Sequence, residues 1–128
     1  MDTSLKIIGF IQSDFKKRSD TPRQGDEGGI VATLHIDEEY SDAMDGLKVG
    51  MEIVLLTWLH EADRNYLKVH PRGNESIPMR GVFSTRSPDR PNPIGMHPVT
   101  ITHLEGQTIK VKPLEAIDGT PLLDIKNA

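Results

Sequence analysis

The stretch VTITHLEGQTIKVKPLEAI, Val99 to Ile117, indicates the fold of this chain. It contains two runs, Val99–Leu104 and Thr108–Ile117, that are rich in Val, Ile and Thr, the residue types enriched in β-strands. Only the three residues EGQ at 105–107 separate the two runs. A connection this short joins antiparallel neighbours, so the stretch predicts a β-hairpin.

The same composition recurs elsewhere, in segments bounded by Gly, Pro, Asn or Asp. Four further strands are predicted: Leu5–Gln12, Gly29–Ile36, Met51–His60 and Arg80–Thr85. One short helix is predicted over Glu39–Leu47, ending at a glycine-bearing turn, and the polar segment Ser13–Gly29 is typical of a long, functional loop. Six short strands with so little helix predict a mainly β protein. We expect residues 1–128 to form one compact, largely antiparallel β-barrel domain with one short helix and long loops.

Composition excludes several classes of protein. The chain of 128 residues contains no cysteine, which excludes disulfides, thiolate metal sites and a cysteine nucleophile and fits a reducing cytoplasm. Its five histidines form neither an HExxH nor an HxH motif, so no metal is expected. The N-terminus MDTSLKIIGF lacks the pattern of an export signal, and no apolar run is long enough for a membrane. These features predict a soluble cytoplasmic protein.

The charges are divided unevenly along the chain. Residues 1–64 carry 7 Lys and Arg against 13 Asp and Glu, whereas residues 65–128 carry 8 against 6. Six basic residues and only two acidic ones lie between positions 64 and 90, and the basic ones are Arg64, Lys68, Arg72, Arg80, Arg86 and Arg90. A local basic surface is therefore expected despite the net charge of −4.

The segment GVFSTRSPDRPNPIGMHPV, Gly81 to Val99, is the most unusual part of the sequence. Four of the nine prolines fall within residues 88–98. Each proline fixes its own φ and restricts the residue before it, so Arg86, Arg90 and Asn92 are expected to point in set directions. An ordinary turn with surface ion pairs is the alternative, but a turn needs only one proline. We therefore predict that this segment contacts a ligand.

Three motifs carry a resemblance to a known family. The run GVFSTRSPDRPNPIGM, with DGTPLLDIK (Asp118 to Lys126) and TPRQG (Thr21 to Gly25), resembles the TrmO family, also called TsaA-like. The similarity extends from IIGFIQSDF at the front through TWLHEAD in the middle of the chain. It implies an S-adenosylmethionine-dependent tRNA methyltransferase that forms homodimers. The acceptor in this family is the exocyclic nitrogen of threonylcarbamoyl-adenosine, next to the anticodon.

Residue chemistry and the resemblance together give a set of candidate site residues. No G-x-G-x-x-G is present, so a Rossmann-type cofactor site is not expected. A guanidinium suits the cofactor's carboxylate, and a methionine side chain offers an apolar surface for a ring. The resemblance implies cofactor binding by Pro22, Arg23, Gln24, His60, Glu61, Arg86, Met96, Asp118, Gly119, Thr120 and Pro121. The predicted substrate-binding residues are Arg90, Asn92, Lys68 and Arg72.

The acceptor nitrogen must lose a proton during methyl transfer, so a general base is expected. Its candidates are Asp118, His60, Glu61 and His97, and spacing does not choose among them. Two alternative functions remain open at this point. One is a non-enzymatic regulatory module that binds S-adenosylmethionine or a nucleoside, and the other is a methyltransferase with a different acceptor.

Overall fold

The protein, described here by a computed structural model over residues 1–16 and 30–128, is built around a closed β-barrel. The described residues form eight strands: β1 (Gly9–Gln12), β2 (Ala32–Ile36), β3 (Glu52–Trp58), β4 (Lys68–Val69), β5 (Arg80–Gly81), β6 (Ile94–Glu105), β7 (Thr108–Lys112) and β8 (Pro121–Asn127). Six of them close the barrel in the order β1-β2-β7-β6-β3-β8, with every neighbouring pair antiparallel. The remaining two, β4 and β5, form a separate hairpin. The predicted mainly β, antiparallel barrel is confirmed.

The core fills the interior of the barrel. Side chains alternate between the two faces of each strand, and in β3 the inward positions Ile53, Leu55 and Thr57 are all fully buried. The apolar core comprises Ile11, Ala32, Leu34, Ile36, Ile53, Leu55, Val99, Ile101, Ile109, Val111, Leu114, Ala116 and Leu122. Burying each of the larger side chains contributes about 1.5 to 3 kcal/mol to folding. Thr57 is a fully buried polar residue in this otherwise apolar lining.

Two of the strands differ from prediction. The barrel's sixth strand is β8, which overlaps the DGTPLLDIK motif and is not among the predicted strands. The predicted strand Arg80–Thr85 is wrong beyond its first two residues, because a 3₁₀ helix, Val82–Ser84, follows β5 directly. Val82 is nevertheless buried, so the β-like composition of this segment reflects packing outside the barrel.

Strand β6 is longer than predicted and passes through a proline. It begins at Ile94, so Pro98 is paired with Val54 of β3 instead of lying in a loop. On its other side, β6 meets β7 only from Thr100 onward, which leaves Pro98 at a local sheet edge where no donor is required. The predicted helix is a 3₁₀ helix over Glu38–Met44, and a third 3₁₀ helix spans Pro71–Gly73.

Two long connections leave the barrel at the same end. Trp58, the last residue of β3, pairs with Ile94, the first of β6, so the connection 59–93 begins and ends at this end of the barrel. The connection before β8 arrives at the same place, because Thr57 pairs with Leu122. Within the described residues, no helix is long and apolar enough to cross a membrane.

Candidate functional site

A cleft lies where these two connections meet. One wall is the turn Leu59–Ala62 after β3, and a second is Pro88 of the proline-rich segment. The third wall is the approach to β8, formed by residues 115–117 and Thr120. The pairing of β3 with β8 therefore brings His60 and Glu61 to Thr120 of the DGTP motif, although about sixty residues of sequence separate them.

The cleft is small and mostly apolar, with a volume of about 140 Å³. Sites that enclose a whole drug-sized ligand typically span about 300 to 1,000 Å³, so these residues enclose only part of such a molecule. A larger concavity of about 600 Å³ lies between the 3₁₀ helix Glu38–Met44 and the turn after β6, but it is wide open to solvent. No predicted site residue lines that concavity, so the smaller cleft is the better candidate site.

Hydrogen bonds tie the turn after β3 to the proline-rich segment. The backbone N–H of Leu59 donates to the carbonyl of Pro93 at 2.8 Å. The N–H of Asp63 donates to Oδ1 of Asp89 at 2.9 Å. Both walls of the cleft that these segments form are thereby held at a fixed separation.

The DGTP turn is fixed onto β1. The N–H of Gly119 donates to the carbonyl of Ile11 at 2.7 Å, and the turn needs glycine here because its φ is +84°. Oδ1 of Asp118 accepts a hydrogen bond from the N–H of Ser13 at 2.9 Å, and Oδ2 lies 3.2 Å from Nζ of Lys16. The bond from Ser13, and then the one from Lys16, lower the pKa of Asp118 below its ordinary value. Asp118 therefore stays ionised with both oxygens engaged, which makes it a poor proton acceptor.

His97 is partly buried on the inward face of β6 and does not line the cleft. Its Nε2 is 2.9 Å from Oγ1 of the fully buried Thr57. Burial lowers the pKa of His97 to about 4, because the charged imidazolium is poorly solvated there. His97 is thus uncharged near neutral pH. The side chain of Leu59 approaches Gly95, which adjoins His97, and Leu59 also lines the cleft.

The cations of the proline-rich segment have different environments. Arg86 is exposed, two residues from Pro88 of the cleft, and no hydrogen bond or ion pair joins it to any other residue in the described ranges. Arg90 is half-buried, and its Nη2 donates to the carbonyl of Val82 and, at 2.9 Å, to that of Thr85. Arg90 therefore braces the segment internally, and substrate contact by this residue stays a prediction. Asn92 is exposed and accepts a bond from Arg64 at 3.3 Å.

The other predicted residues are dispersed. Met96 is half-exposed on β6 and does not line the described cleft. Lys68 lies on β4, and Arg72 lies in the 3₁₀ helix that follows. Both are exposed on the connection 59–93, the hairpin excursion, which contains β4 and β5. Pro121 begins β8 and pairs with Phe10. The predicted cofactor residues Pro22, Arg23 and Gln24 lie outside the described residues.

Several residues that shape the site carry no motif. Ser13 and Lys16 hold Asp118, and Thr57 contacts His97, yet each is a common residue in an ordinary strand or loop. Arg64 was noted only as part of the basic surface, whereas the structure joins it to the proline-rich segment. Their roles depend on partners that are remote in sequence, and no local signal identifies such pairs. Across the described ranges, no group of three His, Cys, Asp or Glu side chains could hold a metal ion.

The closed six-stranded barrel, with a cleft at one mouth formed by a proline-rich segment and a DGTP turn, defines a distinct class of small β-barrel protein. A family model described as the tRNA-methyltransferase O N-terminal domain matches residues 10–127. The chain belongs to this family, and the resemblance seen in the sequence is confirmed.

Relatives of known name support the assignment. The chain is 45% identical over 126 residues to a probable S-adenosyl-L-methionine-binding protein of Methanothermobacter thermautotrophicus, covering 98% of this chain and 90% of the relative. It is 43% identical over 122 residues to an S-adenosyl-L-methionine-binding protein of Archaeoglobus fulgidus, covering 95% and 86%. The crystal structure of TrmO from Pseudomonas aeruginosa matches with a TM-score of 0.80 and 30% identity. That match covers all of this chain but only 56% of the Pseudomonas chain.

Proposed function

We propose that this protein binds S-adenosylmethionine at the cleft and transfers its methyl group to tRNA. The observation that carries the proposal is the convergence of His60, Glu61 and Thr120 in one cleft, in a barrel of the tRNA-methyltransferase O family. Such a role would place the protein in the cytoplasm, where its substrate resides.

The residues present suit parts of the proposed cofactor. Arg86 offers a fork of donors for a carboxylate and has no competing partner in the described part of the chain. The carboxylate of Glu61 suits the ammonium or the sulfonium, and the apolar lining of Leu59, Ala62 and Pro88 suits a methylene chain or a ring face. The described cleft accounts for part of the molecule, and the predicted contributions of Arg23 and Gln24 remain proposals.

When bound, the cofactor supplies an electrophilic methyl group on a sulfonium. The sulfur keeps the C–S electron pair and leaves as a neutral thioether. The protein must then orient the acceptor nitrogen and remove its proton as the new C–N bond forms. We assign that proton to His60, because it lines the cleft and an imidazole nitrogen can accept a proton. Asp118 and His97 are disfavoured, because hydrogen bonds from Ser13 and Lys16 make the first a weaker base and the second does not line the cleft.

For the acceptor, we propose the exocyclic nitrogen of threonylcarbamoyl-adenosine, which the family resemblance implies. Lys68 and Arg72 lie on or beside the β4–β5 hairpin and supply positive charge for tRNA phosphates. Asn92 and Arg90 lie on the proline-rich segment that also supplies Pro88 of the cleft, and we propose that they contact the modified nucleoside. Phosphate contacts orient the nucleic acid, and the cleft then selects the base.

We also propose that the protein is a homodimer. The hairpin excursion exposes several large apolar side chains, among them Phe83 at 89% and Leu67 at 71% exposure, together with Tyr66 and Met79. Exposed apolar side chains of this size on one segment are typical of a protein-contact surface. A second copy of the chain is the proposed occupant. Light scattering at micromolar concentration should report twice the mass of one chain, and a monomer would contradict the proposal.

The decisive experiment measures methyl transfer from labelled S-adenosylmethionine to two tRNA preparations, one carrying and one lacking the threonylcarbamoyl group. Labelling of the modified tRNA alone supports the full proposal. Equal labelling of both preparations points to another acceptor. A His60→Ala variant that retains cofactor affinity while losing transfer supports the assigned proton acceptor.

A second candidate function is favoured by the names of the relatives, which specify binding alone. In this case the protein would bind S-adenosylmethionine as a regulatory module and transfer nothing. Binding by calorimetry without label transfer to either tRNA would favour the module over the enzyme.

A further inference from the structure

Arg64 connects the two segments that build the walls of the cleft. It lies four residues after His60, and its Nε donates to the carbonyl of Pro91 at 2.7 Å. Its Nη2 donates to Oδ1 of Asn92 at 3.3 Å. One guanidinium therefore binds two consecutive residues of the proline-rich segment, using the fixed fork geometry that distinguishes arginine from lysine.

The same guanidinium is held on its own side by an aromatic ring. Its central carbon lies 5.1 Å from the centre of the Trp58 ring, a cation–π contact. Trp58 is the last residue of β3 and pairs with Ile94 of β6, so the ring is anchored to the barrel. Arg64 thus holds Pro91 and Asn92 at a set position relative to the end of the barrel.

Arg64 acts alongside two other links between these segments, from Leu59 to Pro93 and from Asp63 to Asp89. Leu59 lines the cleft, and Asp63 is the neighbour of Ala62, which also lines it. Pro88, the wall contributed by the other segment, adjoins Asp89. Along the proline-rich segment, the partners of Arg64 therefore lie between the partner of Asp63 and the partner of Leu59.

We propose that Arg64 is a positioning residue, which sets the separation of the two cleft walls without touching the ligand. For S-adenosylmethionine as that ligand, the inference rests on the proposed function above. This positioning role differs from a contribution to the basic surface. General attraction of phosphates by that surface depends on positive charge alone. A positioning role requires the arginine fork, so lysine should not substitute for it.

The test compares Arg64→Ala, Arg64→Lys and a matched control, Arg80→Ala. Arg80 is an exposed arginine on the same excursion and has no side-chain hydrogen bond among the described residues. Trp58 is the protein's sole tryptophan, so intrinsic fluorescence reports the contact directly. We expect both Arg64 variants to red-shift Trp58 emission as the ring becomes hydrated, and the control to match the wild type.

A second measurement, amide hydrogen exchange without ligand, follows the links themselves. In Arg64→Ala and Arg64→Lys, we expect exchange at the amides of Leu59 and Asp63 to rise about fivefold, the size expected for the loss of one modest hydrogen bond. Amides of the core strands should be unchanged. Unchanged exchange at Leu59 and Asp63 would overturn the proposal, whether or not the protein binds S-adenosylmethionine.

Calorimetric titration with S-adenosylmethionine completes the test. Both Arg64 variants should bind about five- to twentyfold more weakly, the range for one or two hydrogen bonds, and Arg80→Ala should stay within about twofold of the wild type. Restoration of full affinity by Arg64→Lys would show that charge suffices and would overturn the positioning role. Failure of the wild type to bind S-adenosylmethionine would instead remove the proposed function, while the exchange result still decides the role of Arg64.

Discussion

Oγ1 of Thr57 and Nε2 of His97 lie 2.9 Å apart inside the barrel, directly above the Cα of Gly95. A β-carbon at position 95 would lie 2.6 Å from the threonine oxygen and 2.7 Å from the imidazole nitrogen, closer than such atoms can approach. The contact between Thr57 and His97 therefore depends on the absence of a side chain at position 95.

Gly95→Ala should destabilise the protein by about 1 to 3 kcal/mol, because the added carbon forces Thr57 and His97 apart in a packed interior. Urea unfolding at neutral pH would measure this as a lower midpoint with an unchanged slope. Gly81→Ala is the matched control, since its β-carbon would meet nothing closer than 4.0 Å. Equal midpoints for the two variants would contradict this account of the interior.

His97 predicts a specific pH dependence of stability. The unfolded chain takes up a proton at this site as the pH falls through the ordinary value of 6.5, but the folded protein does so only near the lowered pKa of about 4. As far as it depends on His97, the free energy of unfolding is therefore highest above about pH 6.5 and decreases as the pH falls toward 4. The loss for this group is on the order of 3 kcal/mol.

Unfolding free energies measured from pH 7.5 to 4 for wild type and His97→Gln would test this dependence. Glutamine keeps a polar group for Thr57 but does not titrate. The difference between the two proteins should shrink as the pH falls, and parallel curves would show that His97 does not control stability in this range.

Arg86→Ala should weaken S-adenosylmethionine binding if the guanidinium holds the cofactor's carboxylate. We expect a loss of about 1 to 2 kcal/mol, at the low end for a charged hydrogen bond, because Arg86 is exposed and water screens its charge. Calorimetry at constant ionic strength would measure it, with Arg80→Ala as the control. Equal affinities would remove Arg86 from the proposed site.

Charge reversal at Lys68 and Arg72 should weaken tRNA binding and leave cofactor binding unchanged. In the double variant Lys68→Glu, Arg72→Glu, tRNA binding should weaken, and the slope of log affinity against log salt should become shallower by about 2. Affinity for S-adenosylmethionine should be unchanged, since neither residue lines the cleft. Lys110→Glu, Lys112→Glu on β7 makes the same charge change elsewhere, and an equal loss in that control would indicate a nonspecific charge effect.

Most of the barrel could be predicted from composition, and the exceptions have physical causes. Five of the six barrel strands coincide with predicted ones because Val, Ile and Thr mark them directly. Strand β8 was missed because Pro121 and Asp124 obscure the pattern of its single fully buried leucine, Leu122. Pro98 hid the first half of β6, since the local edge that tolerates a proline arises only from tertiary pairing.

The candidate site was less accessible to sequence reasoning. His60, Glu61 and Thr120 were named through family resemblance, and their meeting in one cleft follows from strand pairing. Arg90 shows the opposite case, because its internal bonds go to backbone carbonyls, which no residue pattern reveals. The functions assigned to these residues stay predictions until the variants are measured.

The closure of the barrel by β1 and β8 has a consequence for how the chain folds. Gly9 pairs with Leu122, so the seam joins residues from opposite ends of the sequence. Such a seam carries a large loop-closure entropy, and contacts between distant residues slow folding to milliseconds or longer. During synthesis, the core around Ile11 of β1 cannot be closed until Leu122 of β8 has been made. A nascent chain that lacks β8 therefore exposes apolar surface of the kind that chaperones bind.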